Sequence, residues 1–195
     1  VYKRQLRATG ARVVGTLGEL KGAAMKVGQM MSQAGDALPA ELREALAELQ
    51  KDAPPADYSV VAAQIEAELG DAPERLFARI DPEPFAAASI GQVHRARTDD
   101  GREVVVKVQY PGVDASVASD LAAVRRAMKV AMLGTPLNGL DEAFAELEAV
   151  LEQELDYTQE ADNLRRLRAL HDEDWLVMPS VVGERSSGRV LTLSY

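Results

Sequence analysis

The 195-residue sequence predicts an α+β protein, with a helical amino-terminal segment followed by a small antiparallel sheet packed on a long acidic helix. Three stretches carry that prediction. Val93–Arg97 and Val104–Gln109 are short strand candidates joined by Thr98-Asp99-Asp100-Gly101, a turn composition in which Gly101 can take positive φ, so they form a hairpin. Val13, Leu17, Leu20, Ala24, Val27 and Met31 recur at alternating spacings of four and three, the stripe of an amphipathic helix over Arg12–Gln33. Leu140, Phe144, Leu147, Leu151 and Leu155 mark a second such stripe.

Taken in order, Val1–Gln5 fits no later pattern and reads as an adapter-derived scar, outside the fold. In the Arg12–Gln33 helix, Gly15, Gly18, Gly22 and Gly28 each cost up to about 1 kcal/mol of helix stability relative to alanine, so another backbone or a ligand is expected to pass close. Pro39 opens a second helix that Asp52-Ala53-Pro54-Pro55 ends. Ser59 caps a third, stopped at Gly70, and Ala72–Arg79 adds a short helical turn. Asp81-Pro82-Glu83-Pro84 breaks the pattern, which places a boundary between a helical extension, 6–80, and a sheet-bearing region, 81–195. Tyr110-Pro111-Gly112 is a turn and Val113–Leu133 a helix, with Arg125, Arg126 and Lys129 facing an anionic surface or, as the expectation taken, solvent. Nine acidic residues and no Lys or Arg lie between Asp141 and Asp162, mostly a solvated face. Trp175–Met178 and Arg189–Ser194 are the last strand candidates.

Side chains alternate across a pleat, so Val104, Val106 and Val108 share one face of the second hairpin strand and Val105, Lys107 and Gln109 the other. Burying an ammonium costs several kcal/mol unless it is paired, so Lys107 either snorkels to an edge or has an anionic partner in the fold or a ligand. Ahead of the hairpin, Ala86–Gln92 is a small-residue loop that lets backbone amides approach a phosphate, or alanines that merely pack.

A net charge of -9 argues against nucleic-acid binding, which rests on neutralising phosphates with Lys and Arg. With no cysteine there is no disulfide, thiolate metal site or cysteine nucleophile, and two histidines, His94 and His171, make no metal cluster. No run approaches the roughly 20 apolar residues that span a bilayer.

Residues 86–96, AAASIGQVHRA, and 104–113, VVVKVQYPGV, together resemble the nucleotide-binding end of the UbiB/AarF family, kinase-like ATPases associated with ubiquinone biosynthesis and quinone or lipid homeostasis. LKGAAMKVGQMMSQ, 20–33, resembles that family's KxGQ signature, and Glu154-Leu155-Asp156 its ExD signature. The resemblance implies a protein-kinase-like N-lobe with a long αC-type helix. It implies that Ala86, Ala87, Ala88, Ser89, Ile90, Gly91 and Gln92 replace a kinase's glycine-rich loop at the nucleotide, and that Lys107 holds the α and β phosphates of ATP. Gln159-Glu160-Ala161 supplies Glu160 as the partner of Lys107. Lys26, Gly28 and Gln29 belong to a helix lying over the cleft. Glu154 and Asp156 are assigned to the face that meets it, with Lys26 as counter-ion; since two residues in an unbroken helix turn about 200° and cannot point the same way, one serves that helix and the other the nucleotide side.

ATP with Mg is the implied cofactor, the metal ligands being expected in a second lobe, since no HRD-like loop or DFG-like aspartate occurs. The chain therefore reads as the amino-terminal part of a longer protein, stopping at the hinge, with weak or absent nucleotide binding and no turnover by itself. The implied setting is cytoplasmic, peripheral to the inner membrane, with a nucleotide, quinone-pathway proteins or a membrane surface as partners. A non-catalytic module docking through the Arg12–Gln33 helix is the alternative, and a marginally folded piece a third.

Overall fold

The computed structural model describes residues 55–88, 90–131, 140–171 and 175–195. Helices α1 (Tyr58–Leu69) and α2 (Pro73–Leu76) precede strands β1 (Arg79–Ile80), β2 (Ala86–Ala88), β3 (Gly91–Arg97) and β4 (Glu103–Gln109). Helices α3 (Val113–Ala131), α4 (Leu140–Glu154) and α5 (Tyr157–Leu170) follow, then a 3-10 turn at Gly183–Arg185 and β5 (Val190–Ser194).

Residues 54–111 and 152–195 form one compact unit. Its antiparallel sheet runs β1-β3-β4-β5, with β2 also paired to β3. β1 and β2 share one edge of β3, separated by Asp81–Phe85, where Pro82 and Pro84 can donate nothing to a ladder. The expected hairpin forms in register from Gly91↔Gln109 to Arg97↔Glu103, and Gly101 closes its turn at φ +87°.

One face of the sheet is covered and the other only in part. Val104, Val106 and Val108, each at most 1% exposed, pack with Val61 and Ile65 of α1, Phe77 and Val190. Fully burying such a side chain contributes about 1.5–3 kcal/mol. Leu191 points the other way, onto Tyr157 and Ala161 of α5. Because α1 shares the sheet's core, the packing shows no break at residue 80.

Several local expectations change. α1 starts at Tyr58, so Ser59 lies in its first turn and caps nothing, whereas Gly70 ends it at φ +85° as expected. Ala86–Ala88 is strand and not loop, because β3 offers it a partner edge. The acidic run is two helices, broken at Leu155–Asp156. Residues 175–178 form no strand; Pro179 interrupts the backbone donors, and β5 pairs instead with the 180–182 segment through Val182 N–H to Thr192 O, 2.9 Å, and Ser194 N–H to Ser180 O, 2.9 Å.

Residues 112–151 belong to a second unit. There Val113, Val117 and Leu121 are buried at i, i+4, i+8 along α3, as are Phe144 and Leu151 of the α4 stripe. Arg125 and Lys129 are exposed, as expected, and both pair with Asp141, at 2.6 and 3.1 Å. Hydrogen bonds from these two residues hold the Asp141 carboxyl below its ordinary range.

The sheet's core face also holds a polar chain. The His94 Nδ1–H donates to Asp81 O, 2.8 Å, which leaves Nε2 to accept from the Gln92 amide, 2.9 Å. Gln92 in turn bonds both backbone groups of Ala56, at 2.9 and 3.2 Å. Every site in this chain suits neutral imidazole, and burial lowers the His94 pKa. Below about pH 6.5 the unfolded histidine takes up a proton that the folded one refuses, so stability falls with pH by at most about 1.4 kcal/mol per unit, until the folded pKa is reached. Thermal melts from about pH 7.5 to 5.5 should show this decline. In His94→Leu the melting temperature should be lower throughout and nearly flat over that window; an unchanged slope in the variant would assign the decline elsewhere.

Candidate functional site

The site is built on the second face of β4. Lys107 Nζ lies 2.5 Å from Glu160 Oε2 and 4.4 Å from the centroid of the Tyr157 ring. Its side chain is 26% exposed and that of Glu160 46%, so the pair sits at a lip open to solvent and is not entombed.

Glu160 reaches this position because of the helix break. Asp156 caps α5, its Oδ1 accepting from the Thr158 N–H, 2.9 Å, and Thr158 Oγ1, 2.5 Å, bonds that hold the Asp156 carboxyl below its ordinary range. The carbonyl of Leu155, freed by the break, accepts from Gln109 Nε2 at 2.7 Å, and the Tyr157 N–H donates to Gly188 O at 2.9 Å. The first turn of α5 is thus tied to the end of β4 and to the approach to β5. Glu160 in that turn also faces the positive end of the helix dipole.

Beside the ion pair is an apolar cleft of about 450 Å³. Phe85, Ala86, Val93, Val105, Leu193 and Tyr195 contribute to its lining. Val93 stands opposite Lys107 in the ladder and Val105 shares its strand face, so one surface carries an apolar floor with a cation at one end. At the other end Arg95 lies between the rings of Phe85 and Tyr195, 4.3 and 4.7 Å from their centroids, and donates to Tyr195 Oη at 2.8 Å.

The alanine-rich segment folds back as a tight hairpin, Ala88 opposite Gly91. Ala86 and Ala87 are exposed, Ala88 is half-buried and the Ile90 side chain is buried, its carbonyl accepting from the Tyr110 N–H at 2.9 Å. A Cβ at Gly91 would overlap the carbonyl oxygen of Val108, so glycine is what lets β3 lie against β4 here. The Gln92 side chain is fully buried and engaged by Ala56 and His94, and its backbone lies in β3 between Ala87 of β2 and Val108 of β4.

Ser89 lies outside the described residues, as do Lys26, Gly28 and Gln29 with the rest of the predicted helix over Arg12–Gln33, and the docking alternative with them. Glu154 is half-buried at the end of α4, and Asp156 is the α5 cap; the break removes the premise that both lie on one helix. Tyr157, the Phe85–Arg95–Tyr195 cluster and the bond that Gln109 makes to Leu155 O were not anticipated from the sequence. Tyr157 was within reach of it, since a residue three before Glu160 shares its helix face. Gln109 was too, two residues beyond Lys107 on the same strand face.

A small antiparallel sheet whose inner-strand lysine pairs with a glutamate on an adjoining helix, beside an apolar cleft, is the N-lobe arrangement of kinase-like proteins. Residues 48–195 match the family described as ABC1 atypical kinase-like domain, and the chain belongs to that family. It is 38% identical over 188 residues to the mitochondrial atypical kinase coq-8 of Caenorhabditis elegans, covering 95% of this chain and 25% of that protein. It is 36% identical over 192 residues to the probable protein kinase UbiB of Pseudomonas putida, covering 94% and 35%. Among solved structures, a Mycobacterium tuberculosis protein in complex with erythromycin matches with a TM-score of 0.59 at 40% identity, over 92% of this chain and 46% of that one. The chain thus spans about a quarter to a third of these two curated relatives and about half of the solved protein.

Proposed function

We propose that this chain forms the nucleotide-binding half-cleft of a UbiB-type atypical kinase or ATPase. The observation that carries the reading is the Lys107–Glu160 ion pair at the lip of the apolar cleft. A purine base is apolar on its faces and suits the Val93–Val105–Leu193 floor, while its phosphates carry the charge that Lys107 meets. Glu160 holds the ammonium in place, so little rotamer freedom is lost when phosphate arrives. Ala86, exposed, lines the same cleft.

ATP hydrolysis or transfer requires Mg as well. Among the described residues no group of three or more His, Asp or Glu side chains is placed to hold a metal, so no chemical step is assigned to these residues. They bind and orient, and turnover belongs to the whole protein. The names of the relatives, UbiB and coq-8, support a place in ubiquinone biosynthesis for that whole protein. The reading also places it in the cytoplasm at the inner membrane, with quinone-pathway proteins as partners; no helix of the described residues is long and apolar enough to cross a membrane.

Titration with fluorescent ADP and ATP analogues tests the proposal. Saturable binding, displaced by unlabelled nucleotide, is expected. A folded chain that binds neither analogue would overturn it.

A further inference from the structure

Lys107 has a second partner that no ion-pair argument anticipates. The Tyr157 ring is 1% exposed and lies 4.4 Å from the ammonium, while Glu160, three residues on, accepts one of its hydrogen bonds. The ring cannot drift: its helix begins at a capped turn, its own N–H is bound to Gly188 O at 2.9 Å, and it packs with Ala161 and Leu191. Its hydroxyl is buried with no hydrogen-bond partner among the described residues, so the face of the ring, and not its polar tip, is what the site uses.

We infer that Tyr157 is a positioning residue for Lys107, an aromatic platform that holds the ammonium toward an anionic ligand without adding negative charge. A lysine ammonium has three donors. Glu160 occupies one, and the ring attracts the cation through its quadrupole without consuming another as a conventional bond. Donors therefore remain for phosphate oxygens. A second carboxylate in that place would hold the lysine equally well but repel the ligand. The inference deepens the nucleotide reading and, for the ligand's identity, rests on it.

The test uses the full chain in two samples: one with its lysines reductively methylated with 13C, which keeps their charge, for the Lys107 signal, identified by its loss in Lys107→Arg, and one unmethylated, with all its lysine donors, for nucleotide affinity. Wild type and Tyr157→Phe should show that signal shifted upfield by the ring, and Tyr157→Leu, confirmed folded by circular dichroism, should not. Fluorescent-nucleotide affinity should fall roughly three- to tenfold in Tyr157→Leu and hold in Tyr157→Phe. An unshifted Lys107 signal in the wild type overturns the inference without any variant. So does unchanged affinity in Tyr157→Leu when Lys107→Ala has lost it. A shifted signal in a wild type that binds no nucleotide supports the platform and removes the nucleotide reading, so the two failures are distinguishable.

Discussion

Lys107→Ala is expected to weaken nucleotide binding by roughly ten- to a hundredfold while leaving the fold intact. Hydrogen bonds to charged groups contribute about 1.5–3 kcal/mol each, which converts to that range. Stability should hardly move, because the pair that is lost is partly exposed, with side chains 26% and 46% accessible, and such pairs contribute about 0–1 kcal/mol. The Glu160 carboxylate left behind can turn to water. Lys107→Arg should recover part of the affinity at most, since a planar fork cannot reproduce a compact ammonium seated on a ring. Parallel titrations and thermal melts check both halves. Equal affinity in Lys107→Ala would move the phosphate site away from this lysine; a collapse in melting temperature would make its role structural.

Gly91→Ala should be the most destabilising single methyl in the described sheet, about 2–3 kcal/mol, or a fall in melting temperature of roughly 5–10 °C for a chain of this size. The added Cβ would overlap Val108 O and lie 3.0 Å from Val108 C and 3.1 Å from Gln109 Cα. All three are backbone, so no side-chain rotation relieves the contact; β3 and β4 must separate at the end where the alanine-rich hairpin is held. Gly101→Ala is the control. At φ +87° it carries a backbone cost of about 1–2 kcal/mol, with nothing within 4 Å of the new methyl. A Gly91→Ala loss no larger than that of Gly101→Ala would show that the strands part easily.

Much of this was legible in the residues because the relevant signals are local. The valine alternation around Lys107 and the Gly101 turn need only strand period and turn chemistry, and both faces of β4 follow from them. The pairing of Lys107 with Glu160, 53 residues apart, was legible only through family resemblance, since no spacing rule links the two. The α4–α5 break was hidden by a leucine stripe that runs through Leu151 and Leu155 without a gap. Its signal was nevertheless present as Asp156 followed three residues later by Gln159, the spacing of a capping box. Ala86–Ala88 was opaque for another reason: alanine has little preference for strands, and the segment is extended because an unpaired edge of β3 lies beside it. The burial of the Gln92 side chain was not legible either, because one of its partners, Ala56, is 36 residues away.

The prolines between β1 and β2 bear on how this domain behaves in a crowded cell. A long unpaired strand edge is a template on which another chain can add, and that is a route to fibrils. Here the outer edge of β3 is covered in pieces of two and three residues, with Pro82 and Pro84 between them, so no uninterrupted row of donors is offered to a neighbour. The same interruption that prevents one continuous strand there also makes the sheet a poor seed for aggregation.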